Sequence, residues 1–204
     1  MGSLGKDDQY VKIIDFLTLL FEASQPYKNF EKQIIFRLNG VSQSHEGISI
    51  NEKMIPLVKR EPELIHGIRN IVHNALKFSK SYVDINLIIN STKINLEITD
   101  DGKGFPNDIT NMIGEPFLKK SNFYLMDVKN RRSEEGMGLG LFIANILLEK
   151  TKGRLKFSNM QQIENDGKKR ITGAKVEISW ERSSIEVLQW DKKAKMKENP
   201  RNVS

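Results

Sequence analysis

The chain has 204 residues, 38% of them apolar and 28% charged, a balance that fits one globular domain with extensions. It contains no cysteine, so disulfides, thiolate metal sites and cysteine nucleophiles are excluded, and the usage fits a reducing cytosol. Of the net charge of +6, half comes from five basic against two acidic residues between Asp191 and Ser204, so the excess reads as a solvated tail and no nucleic-acid partner is expected.

The opening "MGSLGK" has Lys6 where a myristoylation signal requires Ser or Thr, and residues 1–10 read as a leader or a disordered end. Ile13, Phe16, Leu17 and Leu20 repeat at helical spacing, which predicts one helix over 11–30 with Pro26 near its end. Its apolar stretch "IIDFLTLLF" is broken by Asp15 and Thr18 and falls short of the roughly 20 residues a bilayer needs, so no membrane segment is expected. "KQIIFRLNG" and "GISIN" read as short strands separated by a turn containing Ser and Gly.

Pro62 opens a better-marked helix, with Leu64, Ile68, Ile71 or Val72, and Ala75 on one stripe to about Phe78. Val83, Ile85, Leu87 and Ile89, then Ile94, Leu96 and Ile98, alternate as two strands of a hairpin turning at Asn90 to Thr92. From 106 to 135 no period is sustained, and so long a segment inside a compact domain is read as a mobile lid. A helix apolar nearly all round is predicted over 139–152, ended by Gly153 with Lys150 and Lys152 near its carbonyl end. "RLKFSN" and "AKVEISW" predict a closing hairpin, and residues 183–204 a flexible basic tail.

Three places invite chemistry. Asn70 and Asn74 lie four residues apart, about 40° around the axis at 3.6 residues per turn, with His66 on the same face and Lys77 one turn on. Asn costs up to about 0.7 kcal/mol against Ala in a helix interior, so the pair needs either solvent or a task. "DDGKGF" follows a strand that ends at Asp100, and Gly102 and Gly104 allow either an ordinary sharp turn or a close backbone approach. "GMGLGL" sets Gly136, Gly138 and Gly140 against the start of a buried helix, where unpaired N–H groups favour an anion; a plain loop-to-helix turn looks the same. No Walker A pattern is present, and the alternating glycines do not match the Rossmann fingerprint.

Taken in order, an Asn-bearing helix, a hairpin ending in DxGxG, a long lid and GxGLGL before a helix closely resemble the ATP-binding domain of bacterial sensor histidine kinases, within the gyrase, chaperone, histidine kinase and mismatch-repair ATPases. The resemblance covers about Asp15 to Trp180. "NIVHNALKF" is similar to the N box, "DDGKGF" to the first glycine box, "GEPF" (Gly114 to Phe117) to the F box and "GMGLGL" to the second glycine box. "REPELIHGIRNIVHNALKF" and "GLGLFIA" further resemble the redox-responsive RegB/PrrB branch.

That resemblance implies a two-layer α/β sandwich of the Bergerat type over residues 11–182, a mixed sheet with three main helices on one face. It implies ATP and Mg²⁺ as cofactors: Asp100 accepts a hydrogen bond from the adenine amino group, Asn74 holds Mg²⁺ and Asn70 lies close by. Lys77, Lys119 and Lys120 approach the phosphates, Gly102 and Gly104 make room for the nucleotide, and Phe117 anchors the lid or packs in the core. Gly136, Met137, Gly138, Leu139, Gly140 and Leu141 form the lid hinge and phosphate cradle.

The implied activity is transfer of the γ-phosphoryl group to a histidine on a dimerisation hairpin, then to an aspartate of a response-regulator receiver. The three histidines do not fit an acceptor: His66 and His73 lie in the Asn helix, and His45 sits in "SQSHEGIS", which lacks the continuation a long acceptor helix needs. The chain therefore reads as a monomeric catalytic domain of a homodimeric kinase, the cytoplasmic part of a membrane-anchored sensor. An anti-sigma-type serine kinase and a non-catalytic adenylate-sensing module are the competing readings.

Overall fold

The computed structural model describes residues 12–43, 55–106, 137–165 and 167–187. Two elements replace the single helix expected over 11–30: strand β1 (Ile13–Asp15) and helix α1 (Phe16–Ser24), followed by a 3₁₀ turn at Gln25–Tyr27. The division falls at Asp15, which is extended (φ −68°, ψ 147°) and whose carboxylate accepts the Thr18 N–H at 2.8 Å, capping α1 there. Ile13, although spaced as if helical, pairs instead, with Ile14, to β4 (Leu57–Lys59).

Strands β2 (Gln33–Leu38) and β3 (Val41–Gln43) meet at Asn39 and Gly40, both at positive φ (49° and 83°), the geometry of a two-residue hairpin turn. The strand expected at "GISIN" lies outside the described residues. Helix α2 (Pro62–Phe78) has the predicted bounds. Strands β5 (Tyr82–Ile89) and β6 (Lys93–Asp100) form the predicted hairpin, with Asn90 Oδ1 accepting from the Thr92 and Lys93 backbone at its turn.

Helix α3 (Met137–Lys150) stops through Lys152 rather than Gly153. Lys152 takes the left-handed conformation (φ 65°), and the Gly153 N–H reaches back to Leu148 O at 2.9 Å. Glycine follows it for a packing reason: a Cβ on Gly153 would stand 2.7 Å from Trp180 Nε1. Strands β7 (Arg154–Ile163) and β8 (Lys169–Glu181) extend the closing hairpin beyond its predicted ends. A short helix α4 (Arg182–Ile185) follows, and Val187 N–H donates to Leu57 O at 2.7 Å, so residues 183–187 are tied back to β4.

The described strands form a two-stranded sheet, β1-β4, and a mixed six-stranded sheet in the order β3-β2-β5-β6-β8-β7. Only β2 and β5 are parallel in the larger sheet, and the connection between them carries α2. The period of two sends Val83, Ile85, Leu87, Ile94, Leu96, Ile98, Ile178 and Trp180 to one face, where each is at most 1% exposed. Against them pack Leu64, Ile68, Ile71 and Leu76 of α2, Leu17 and Leu20 of α1, and Ala144 and Leu148 of α3. Burying each large aliphatic side chain contributes about 1.5–3 kcal/mol, so this layer carries the fold. The opposite face bears ion pairs such as Lys175–Glu97 at 2.7 Å and Arg37–Asp84 at 2.5 Å.

Candidate functional site

The site is built where β6 ends. The β6–β8 ladder runs to Thr99↔Lys175, and the β7–β8 register shifts between Met160 and Gln161, beside Gly173 of β8. A Cβ on Gly173 would stand 1.7 Å from Asp100 O, so only glycine allows this approach. Ala174 N–H is thereby aimed at the Asp100 carboxylate: Asp100 Oδ1 accepts from it at 3.2 Å and from Gly102 N–H at 2.8 Å.

Asp100 is only 4% exposed, yet it helps to line a partly open cleft. Ile71, Asn74 and Phe78 of α2, Phe105 beyond Gly104, and Leu141 of α3 form the walls. Burial pushes the Asp100 carboxyl above its ordinary value, the two N–H donors oppose this, and the neighbouring Asp101 carboxylate adds to the rise.

Asp101 behaves oppositely. Burial alone would raise it too, but its carboxylate accepts the N–H groups of Lys80 (2.8 Å), Ser81 (3.0 Å) and Tyr82 (3.3 Å), and these hold it below the usual range. They also tie the end of β6 to the start of β5. Gly102 presses on the end of α2, where a Cβ would meet Phe78 O at 2.2 Å. Lys32 Nζ secures that end by donating to Leu76 O and Ser79 O, both at 2.6 Å.

On α2, Asn74 spends its amide N–H on Asn70 O (2.9 Å), and Asn70 spends its own on His66 O (3.0 Å). Each carboxamide oxygen is left as the group that can face a ligand. Gly140 lets α3 pass close to Asn74, since a Cβ there would lie 2.8 Å from Asn74 Nδ2. The structure thus gathers Asn74, Asp100, Gly104 and Leu141 around one cleft, while Asn70 and the exposed Lys77 sit along α2 beside it. Lys77 Nζ lies 5.1 Å from the Phe78 ring centroid. Met137, Gly138 and Leu139 occupy the first turn of α3; Lys119, Lys120, Phe117 and Gly136 lie outside the described residues, as does His45. His66 and His73 are on α2, and the His73 ring stacks on Tyr27 at 5.5 Å.

The atoms against Gly102, Gly104 and Gly140 belong to the protein itself, so their lack of a side chain serves packing around the cleft before any ligand is considered. Sequence reasoning did not find Lys32, Asn159, Gly173 or Ala174. A lone glycine in the alternating strand "ITGAKVEISW" was the available signal for the approach at Gly173. No cluster of three or more His, Cys, Asp or Glu residues that could hold a metal occurs among the described residues. A divalent ion here would have Asn74 Oδ1 as its protein ligand, which suits Mg²⁺, an ion that keeps waters and binds substrate phosphates.

Residues 59–183 match the model of the histidine kinase-, DNA gyrase B- and HSP90-like ATPases, and the chain belongs to that family. Among particular relatives, it is 36% identical over 183 residues to the sensor histidine kinase RegB of Cereibacter sphaeroides, an alignment covering 88% of this chain and 38% of that protein. The chain therefore spans well under half the length of this relative. The fold is shared with the mycobacterial sensor histidine kinase MprB (TM-score 0.55, 21% identity, 83% of this chain and 96% of that one). It is shared also with full-length ShkA, crystallised with AMPPNP (TM-score 0.57, 16% identity, 88% of this chain and 32% of that one).

Proposed function

We propose that this chain is the ATP-binding catalytic domain of a two-component sensor histidine kinase of RegB-like type. The observation that carries the reading is the Asp100 carboxylate lining the cleft, with Oδ1 engaged by two backbone N–H groups, and Asn74 of α2 lining the same cleft. A carboxylate can only accept, so it suits the exocyclic amino group of adenine and repels the carbonyl that guanine carries at the same position. The apolar walls at Ile71, Phe105 and Leu141 suit the faces of a purine.

Asn74 Oδ1 would hold Mg²⁺, which supplies neutralisation of phosphate charge, and Asn70 would reach it through water or phosphate. Lys77, Lys119 and Lys120 would add positive charge along the phosphates. The backbone from Gly136 to Leu141, at the N-terminus of α3, would donate to them and hinge the lid over 106–135. Positioning and charge stabilisation supply most of the catalysis in phosphoryl transfer. Here they would deliver the γ-phosphoryl group to a histidine nitrogen on a dimerisation hairpin of a homodimeric kinase, for onward transfer to the aspartate of a response-regulator receiver. The similarity to RegB supports these partners and a cytoplasmic place for the domain.

The experiment is titration calorimetry with Mg-ATP and Mg-GTP, followed by incubation of the chain with labelled Mg-ATP and a separately supplied acceptor hairpin. Binding of ATP over GTP and an acid-labile phosphohistidine on the hairpin are expected. Asn74→Ala, which removes the oxygen ligand, should weaken Mg-ATP by about tenfold or more and leave Mg-free nucleotide binding nearly unchanged. Equal affinity for both nucleotides would refute the role given to Asp100, and acid-stable phosphoserine on a protein substrate would move the chain to the serine-kinase reading.

A further inference from the structure

We infer that Asn159, on β7 and outside the residues lining the cleft, is a positioning residue for the nucleotide, acting through the backbone of Phe105. The inference rests on the nucleotide reading of the cleft. Asn159 Oδ1 accepts the Phe105 N–H at 2.6 Å, and Asn159 Nδ2 donates to Phe105 O at 2.9 Å. A side chain here makes the two opposed bonds that a neighbouring strand would make, at a point where the β6 ladder has already ended.

Two residues earlier on the same side of β7, the Phe157 ring meets the Phe105 ring edge-on at 5.8 Å. Phe105 is thus held by its backbone and by its ring from one strand. Gly104, at φ 77°, presses on the same amide, and a Cβ there would lie 2.7 Å from Asn159 Oδ1. The two sides of the cleft are therefore referenced to adjacent strands: Asp100 to β8 through Ala174, and Phe105 to β7 through Asn159. A shift of the Phe105 wall would change how a purine lies against Asp100.

The clamp has a chemical signature because it needs one donor and one acceptor on the same planar group. An amide supplies both, and so does a protonated carboxylic acid. A carboxylate supplies only acceptors and would face Phe105 O with like partial charge. Loss of bulk alone would not distinguish the two protonation states.

The test uses the full 204-residue chain and its Asn159→Ala and Asn159→Asp variants. Mg-ATP affinity and melting temperature are measured at about pH 8 and about pH 4, the lower value close to the ordinary Asp value of about 3.9, which a facing carbonyl raises. Each variant is compared with the unsubstituted chain at the same pH, so titration of Asp100 cancels. At the higher pH both variants should bind about tenfold more weakly, the consequence of losing one or two positioning hydrogen bonds. At the lower pH the Asp variant should recover to within about twofold, as its acid form restores both bonds, while the Ala variant should not. Folded variants that bind as the unsubstituted chain does, or an Asp variant equally weak at both values, would overturn the inference. If Asn159→Ala does not fold, the two measurements on Asn159→Asp decide alone. Failure of the unsubstituted chain to bind Mg-ATP would instead bring down the nucleotide reading, and this inference with it.

Discussion

Asp100 and Asp101 are adjacent carboxylates whose environments drive them in opposite directions. A carboxyl raised by burial holds its proton more tightly folded than unfolded, so its favourable contribution is complete below the unfolded value and lost as pH rises through the folded one. Ionising Asp100 in the folded chain therefore costs stability. Asp100→Asn should preserve the bonds from Gly102 and Ala174 through its Oδ1 and turn a donor toward the cleft. We expect a melting temperature at or above that of the unsubstituted chain at neutral pH, with Mg-ATP binding lost by calorimetry; a destabilised variant that still binds would contradict the role. Asp101, lowered by its three backbone donors, contributes stability that is present above the unfolded value and lost as pH falls through the folded one. Asp101→Asn should accordingly flatten the fall in melting temperature on acidification, whereas Asp100→Asn should steepen it.

At the scale of elements, α2 is the piece on which the site depends, since it supplies Asn74 and supports Asp100 through the contact of Phe78 O with Gly102. Its C-terminal carbonyls are held by Lys32, half-buried and remote in sequence. Lys32→Met keeps the apolar stem and removes both charged hydrogen bonds, so a loss of about 2 kcal/mol is expected. Denaturant titration should show it as a lower midpoint with unchanged slope; no change in midpoint would mean that α2 needs no such support. The helix itself was legible because Pro62 and the stripe from Leu64 to Ala75 agree on its bounds. The start of α1 was not: Ile13 falls in phase with Phe16 and Leu20, and only the pairing with β4 shows it to be strand. β4 has three residues, too few for any period, so β1 had no visible partner in the sequence.

For the molecule as a whole, the described helices pack on one face of the six-stranded sheet, and the cleft opens at the end of β6 between α2 and α3. The strands β5, β6 and β8 could be read from their alternation, and the family boxes pointed to Asn74 and Asp100, which line one cleft. What could not be read were the groups that hold those boxes in place: Lys32 lies 44 residues before its partner Leu76, and Asn159 lies 54 residues beyond Phe105. Contacts of that separation leave no local pattern. They also mean that the cleft joins parts of the chain that are far apart in sequence, so a ligand seated in it should stabilise the fold as a unit. At a free nucleotide concentration of 100 Kd, exclusive binding to the folded state adds about 2.7 kcal/mol. For a chain of this size that corresponds to a rise of about 5 to 10 °C in melting temperature. Scanning calorimetry should record this rise with Mg-ATP, a much smaller one with Mg-GTP, and none with Mg-ATP when Asp100 is replaced by Asn. A rise of equal size with both nucleotides would place the binding energy in the phosphates alone and deny the carboxylate its part in choosing the base.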